Sequence, residues 1–269
     1  MNKKGYFRVV GILGIAAFSF FYTEKIANLT LDKNELYQSI KKEASNYNEE
    51  YINAFIEDDK IVPGLNGKNV NIKNSFYNMK DLNAFNSYYL IYDTSYPEVT
   101  LENNKDKIVE RGNQNKNSVA IILEYNKDTI KYFKDNNIDA SILVDLDTFN
   151  KNESLEQINN EVNKYKDLES LINKYSNNTH ICYLSNKNEK ICRKNNKYLV
   201  KTEKIVNNKT FIDIKNNINS GDIYYIDKST DTKNIKILIN SIIYKDLDII
   251  SLSKMLSEER DWFNLSFLV

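Results

Sequence analysis

Strands alternating with helices through the second half of this chain predict an α/β fold built on a parallel sheet or a barrel. Three observations carry the expectation. Val119-Ala120-Ile121-Ile122-Leu123 is a continuous apolar run, as a strand buried on both faces requires. A helix near Asp128 to Asn137, with Ile130 and Phe133 inward, separates it from a second such run, Ala140-Ser141-Ile142-Leu143-Val144. The same order returns near the end, where a strand at Asp222 to Ile226 precedes a helix at Thr232 to Tyr244. That helix carries Ile235, Leu238, Ile239, Ile242 and Ile243 at helical spacing.

The N-terminus places Lys3, Lys4 and Arg8 before an apolar run from Val9 to Tyr22. Positive charge ahead of an apolar stretch is the pattern of a signal peptide or signal anchor. The run is shorter than the ~20 residues that span a bilayer comfortably, but Tyr6 and Phe7 extend it and Arg8 can snorkel. No small-Xaa-small triplet follows, since the segment ends in Phe20-Phe21-Tyr22 before Glu24 and Lys25. Residues 1–23 are therefore expected to be an uncleaved membrane signal anchor; a cleaved signal and a buried helix are the alternatives. The charge order puts the bulk of the chain outside the cytoplasm, at the cell membrane with a single pass.

Residues 24–115 read as a helical stalk and a small α+β region. An amphipathic helix is expected from Asp32 to Phe55, with Leu36, Ile40, Ala44, Tyr47, Tyr51 and Phe55 at three- and four-residue steps. Ile61-Val62-Pro63-Gly64-Leu65-Asn66-Gly67 concentrates turn formers in a chain with only 7 Gly and 2 Pro, and marks a specific turn. Asn74 to Leu82 reads as a short helix and Tyr88 to Tyr92 as a strand.

The repeating α/β pattern fills residues 116–259, leaving 260–269 as a tail. Its middle is expected to hold a long helix from about Glu153 to Tyr175, with Leu155, Ile158, Val162, Tyr165, Leu168 and Ile172 on one face. A last strand, Ile249-Ile250-Ser251-Leu252, runs into a short helix for which Ser251 or Ser253 is the candidate N-cap.

Charge and composition narrow the function classes. The 37 basic and 37 acidic residues cancel, so no net field draws the molecule to nucleic acid, and no nucleic-acid partner is expected. Heavy use of Asn and Lys is the signature of AT-rich coding, which reduces Asn28-Leu29-Thr30 and similar triplets to compositional noise. His180 is the only histidine, so no multi-His metal site can form within one subunit. Two cysteines and one histidine are too few for a closed zinc site. Cys182 and Cys192 flank a Ser-Asn-Lys-Asn turn signal; a hairpin there would bring the thiols together, and an oxidising exterior would let them bond. Two free thiols are the alternative.

Two stretches together resemble the NodB-type polysaccharide deacetylase family. The first runs from Val119 through Glu124-Tyr125 and, after one helix, Asn137-Ile138-Asp139-Ala140-Ser141-Ile142-Leu143-Val144. The second is Ser220-Gly221-Asp222-Ile223-Tyr224-Tyr225-Ile226-Asp227, leading through a helix to Leu247-Asp248-Ile249-Ile250-Ser251-Leu252-Ser253-Lys254-Met255-Leu256. The resemblance implies a deformed (β/α) barrel of the polysaccharide deacetylase type over residues 116–259. Preceding it are the anchor and the small α+β extension.

The family's opening motif supplies a catalytic base and a metal-binding Asp, and the resemblance puts Glu124 and Tyr125 at those positions. Its closing catalytic histidine corresponds to Asp227. The metal-binding histidines after the second strand have no counterpart, since none occurs between Asp145 and Asn178, and no Pro occurs beyond Pro97 to supply the Arg-Pro motif. Tyr125 is a poor carboxylate substitute at neutral pH. The resemblance therefore implies a degenerate member with no confident catalytic residue, metal or other cofactor. Glu124, Tyr125 and Asp227 mark the degenerate positions.

Three functions follow as expectations. The first is a catalytically inactive protein at the cell envelope, holding cell-wall polysaccharide, peptidoglycan or a partner protein. The 19 Tyr, 12 Phe and single Trp could stack on sugar rings or fill the core, as the spacing of Tyr132, Phe133 and Tyr165 indicates for those three. The alternatives are an active metal-dependent hydrolase removing N-acetyl groups, and a structural envelope protein.

Overall fold

The computed structural model describes residues 12–15, 18–19, 21, 25, 29–145, 147–150, 152–159, 180–185, 189–194 and 196–260. They form two compact units, one from Met1–Glu50 with Gly67–Ser95 and one from Tyr51–Asn66 with Tyr96–Val269. Residues 51–66 and 96–115 thus fold with the C-terminal α/β region, although they precede the start at 116 expected for it.

The smaller unit packs helix α1 (Glu35–Glu43) and helix α2 (Ile72–Met79) with an antiparallel pair, β3 (Gly67–Val70) and β4 (Tyr92–Ser95). Its core is Leu36, Ile40, Ala44, Val70, Met79 and Leu90. Asn34 caps α1 by accepting from Tyr37 N at 3.1 Å, and Asn71 caps α2 by accepting from Asn74 N at 2.9 Å. The expected helix to Phe55 stops much earlier: a single 3₁₀ turn, Ala44–Asn46, follows α1. Beyond it the chain bridges Glu49 to Lys68 and Ile52 to Leu65, and Phe55 lies in a strand. Backbone pairing overrides a periodicity that three further aromatic residues merely continue. The strand expected at Tyr88–Tyr92 is displaced too, since Ser87–Tyr89 form a 3₁₀ turn and pairing starts at Tyr92.

The larger unit holds two sheets. One has the order β11-β12-β6-β7-β8, formed by Ile205–Val206, Ile223–Ile226, Ser118–Glu124, Ser141–Val144 and Glu156–Asn159. Every pair in it is parallel. β13 (Asp248–Ile250) also joins β6 in parallel. Ala120 pairs with both Ile223 and Ile250, and Ile122 with both Tyr225 and Ser141. β13 and β7 therefore share one edge of β6, end to end, while β12 takes the other. The second sheet has the order β1-β2-β5-β10-β9, formed by Phe55–Glu57, Lys60–Val62, Ile108–Val109, Tyr198–Val200 and Ile181–Tyr183.

Period-two alternation divides β6 between two cores. Val119, Ile121 and Leu123 pack outward with Phe133 of helix α3 (Lys127–Asp135) and with Ile235, Leu238, Ile239 and Ile242 of a later helix, Thr232–Tyr244. Ala120 and Ile122 face inward, where they meet Ile61, Val109, Ile181 and Val200 of the second sheet. An interior filled with such side chains is a packed barrel core and not a pore.

The long helix expected from Glu153 is corrected where it is described: Glu156–Asn159 is β8, paired to β7 over four residues. Leu155 and Ile158 fit a helical stripe as well as a strand, and parallel pairing with Ser141–Val144 decides. Val162 through Tyr175 lie outside the described residues. The hairpin expected around the cysteines is instead β9 followed by helix α4 (Glu189–Lys194). Cys192 reaches back from α4 to Cys182 on β9; the two are bonded, with Cα atoms 6.1 Å apart, beside Leu184 and Leu199.

Turn geometry explains residues that composition left as noise. Asn83, Asn117, Asn137 and Asn196, with Asp58 and Asp246, take positive φ between 49° and 54°. In a glycine-poor chain these short polar side chains occupy the left-handed positions that other residues avoid. Gly221, at φ +84°, is kept for a tighter place: a Cβ there would lie 2.5 Å from the Gly112 carbonyl oxygen.

At the start of helix α7 (Leu252–Leu256), Ser251 occupies the N-cap position but its side chain makes no capping bond. Ser141 Oγ accepts from Leu252 N at 2.8 Å and Glu156 Oε2 from Ser253 N at 3.2 Å instead. Among the described residues no helix is long and apolar enough to cross a membrane. Most of residues 1–23, the expected anchor, lie outside the described residues; Ile12–Ile15 are helical and their side chains are exposed.

Candidate functional site

Parallel strands send their C-terminal ends to one mouth, the place where side chains of this architecture do chemistry. Glu124 ends β6, and Asp227 follows β12. The register pairs Ile226 with Leu123, so Asp227 and Glu124 stand one residue beyond a matched pair on neighbouring strands. Alternation puts both on the inward face together with Tyr225. Those two expected positions are thus brought together.

Tyr125 is not. It follows the outward alternation of Leu123 and packs against the core that contains α3. At this point of the barrel the tyrosine substitutes neither the chemistry nor the direction of a metal-binding carboxylate.

The Glu124 carboxylate is already occupied. Its Oε1 lies 3.3 Å from Lys228 Nζ, its Oε2 accepts from Lys228 N at 3.1 Å, and the Tyr225 hydroxyl also bonds to it. Lys228 Nζ is well exposed, so the ion pair by itself contributes little. The three donors together occupy most of the acceptor sites a base or metal ligand would use. Burial first, then the neighbouring Glu124 charge, pushes the Tyr225 hydroxyl far above the ordinary tyrosine range. Tyr183, at the end of β9, stacks on Tyr225 with ring centroids 5.2 Å apart and planes 9° from parallel. Its own hydroxyl is pushed up to about 12 by burial.

Asp227 is committed locally. Its Oδ1 accepts from Ser229 N at 2.7 Å and from Ser229 Oγ, and these bonds hold its carboxyl below the usual range. Asp145, just past β7, is similarly lowered by Thr148, whose hydroxyl donates at 2.7 Å. His180 sits at the opposite end of β9 from Tyr183 and is exposed. Among the described residues no three His, Cys, Asp or Glu side chains are grouped to hold a metal ion. Glu124, Tyr125 and Asp227 do not fit a divalent cation: the first is engaged by three donors, the second faces away and the third is bonded to its own turn.

Sequence reasoning missed Tyr225, Tyr183 and Lys228. Tyr225 was legible, because the alternation from Ile223 to Asp227 carries it to the Glu124 face. Lys228 was adjacent to a named position, but nothing local says that its ammonium turns toward a residue 104 positions earlier.

Comparison with known proteins adds the family context. No family model matches the chain. A curated relative, the uncharacterized protein YlxY of Bacillus subtilis (strain 168), is 33% identical over 96 residues. That match covers 35% of this chain and 30% of the relative, less than a third of the latter's length. The crystal structure of a wild-type CE4 family pseudoenzyme from Bacillus anthracis superposes with a TM-score of 0.61 at 18% identity, covering 84% of this chain and 96% of that one. A mutant of the same pseudoenzyme, described as having restored enzymatic activity, gives a TM-score of 0.59 at 18% identity over 84% and 99% of the two chains. The chain therefore has the fold of these CE4 family carbohydrate-esterase structures.

Proposed function

We propose that this chain is a membrane-anchored, extracytoplasmic protein of polysaccharide deacetylase-like fold that lacks deacetylase activity and holds envelope glycan or a partner protein. The observation that carries the inactive reading is the occupied Glu124 carboxylate, bonded by Lys228 and Tyr225 where the reaction needs a free base. The outward Tyr125 and the sequence's lack of histidine between Asp145 and Asn178 support it. Without a divalent ion, water keeps a pKa near its bulk value and the oxyanion loses its main electrostatic partner. General-base help from Glu124 alone would be worth only ~10²–10⁴-fold.

Anchoring is supported by Lys3, Lys4 and Arg8 ahead of the apolar run, and by exposed Ile12, Leu13, Ile15, Phe18 and Phe21 within it. Polysaccharide or peptidoglycan as the ligand is supported by the fold and by the stacked tyrosines at the mouth.

The test is acetate release from acetylated chito-oligosaccharides and peptidoglycan with zinc, cobalt or manganese added. No release above the protein-free control is expected. Metal-dependent release that disappears in Glu124→Gln would overturn the inactive reading.

A further inference from the structure

We propose that a cleft on the larger unit, away from the barrel mouth, is a binding site for a neutral sugar residue; this rests on the glycan-holding reading above and gives it a location. The cleft encloses 360 Å³ between β2, the bend joining β10 to β11, and the start of β12. Ile223 borders it while Asp227 marks the mouth, so the two sites lie at opposite ends of β12. Its volume falls at the low end of the ~300–1,000 Å³ typical of small-molecule sites, enough for one or two pyranose rings.

The lining selects the ligand class. The accessible apolar wall is Phe55 with the half-buried Val62; Ile61 and Ile223 behind it are 1% and 0% exposed and belong to the core. At the rim Phe55 is 63% exposed on the edge strand β1. A bare aromatic ring on a sheet edge is a hazard for a soluble surface unless something covers it. Its flat apolar face matches the C–H face of a sugar ring, in the way aromatic rings bury apolar area beside polar groups.

Two ion pairs flank this wall. Lys60 Nζ lies 2.7 Å from Glu110 Oε2, and Lys204 bonds to Asp222. Asp222 Oδ2 also accepts from Tyr224 Oη and from Asn219 N, each at 2.8 Å. With Glu57, Glu203 and Arg111 also lining it, the cleft carries a slight acidic excess, which disfavours a phosphate or other anion. These groups do present planar carboxylate and guanidinium edges. Arg111 donates to Ser220 O at 3.4 Å, a long bond to an exposed backbone oxygen that a ligand hydroxyl can replace. An exposed ring, an apolar wall and planar polar groups with no excess positive charge together describe a site for an uncharged polyol with one apolar face.

The experiment uses the full chain in detergent micelles, with chitotetraose and cellotetraose as probes and calorimetry as the readout. Wild-type protein is expected to bind at least one probe. Phe55→Ala and Arg111→Ala should each weaken that binding by about tenfold or more, as loss of a central contact does. Tyr244→Ala, an exposed aromatic outside the cleft, should change it by less than about twofold, and the mouth variants Tyr183→Ala and Tyr225→Ala report whether glycan sits at the mouth instead. Phe55 and Arg111 are exposed, so unchanged far-UV circular dichroism should confirm that the variants fold. Absence of binding to both probes, or binding that only the mouth variants reduce, overturns the proposal. Acetate release remains a separate readout: a wild-type chain that releases acetate but loses glycan in Phe55→Ala would overturn the inactive reading and leave the cleft standing.

Discussion

Replacing Gly221 with Ala should destabilise the larger unit severely for a single-methyl change. The residue sits in the Ser220-Gly221-Asp222 turn that starts β12, at φ +84°. An L-residue forced into the left-handed region costs roughly 1–2 kcal/mol. The added Cβ would also fall 2.5 Å from Gly112 O and 3.3 Å from Gln114 N. These are backbone atoms and cannot swing aside as a side chain would. Relieving the overlap means separating the two loops, which strains the 2.7 Å bond from Gly112 N to Gly221 O and the 2.8 Å bond from Gly221 N to Ser118 O. Each such bond contributes about 0.5–1.5 kcal/mol.

The sum is a loss of ~2–5 kcal/mol, reached by combining the dihedral range with those of the two hydrogen bonds. Equilibrium urea unfolding followed by far-UV circular dichroism should show a lower midpoint at an unchanged slope. Gly221→Asn separates the two contributions, because Asn tolerates positive φ but carries the same Cβ. It should recover about 1 kcal/mol relative to Ala and no more. An Ala variant within about 0.5 kcal/mol of wild type, the usual range for an inconsequential surface change, would refute the close-approach argument.

Further outcomes follow from the same structure. Burial raises the hydroxyls of Tyr183, to about 12, and of Tyr198, Tyr224 and Tyr225 further. Because the folded state holds these groups neutral, their stabilisation is complete below the unfolded pKa of ~10 and is lost as pH rises above it, by up to ~2 kcal/mol from Tyr183 after allowing for its partial exposure. Ultraviolet titration should show a late tyrosine class that ionises together with unfolding; smooth titration of every tyrosine near pH 10 would contradict this. Cys182→Ser with Cys192→Ser should lower stability by ~2–3 kcal/mol through the freed loop, measurable by urea unfolding. Intact mass after alkylation without reductant should show no labelled thiols in the wild-type protein. For topology, a cysteine introduced at exposed Tyr244 should react with a membrane-impermeant reagent in whole cells, and labelling only after lysis would reverse the proposed orientation.

The sequence by itself determined the elements whose signal is local. The run Val119–Leu123, the alternation through Ile223–Asp227 and the helix Thr232–Tyr244 declare themselves because two- and 3.6-residue periods need no knowledge of the partner. The positions of Glu124 and Asp227 at strand ends follow from the same patterns. Tertiary structure decided the rest. Leu155 and Ile158 suit a helix or a strand equally, and pairing with β7 settles them as a strand. Phe55 continues a helical stripe, yet it belongs to a strand that pairs with Val62 in the other unit from α1. Asparagine, which composition assigns to codon bias, caps α1, α2 and α3 and takes four left-handed turn positions, a role visible only once backbone angles exist. The silence of the candidate site is also non-local: Glu124 is a plausible base until Lys228 and Tyr225, more than a hundred residues later, fold onto its oxygens. Side-chain type and period are written along the chain, but which donors reach a carboxylate depends on distances that only the packed sheets create.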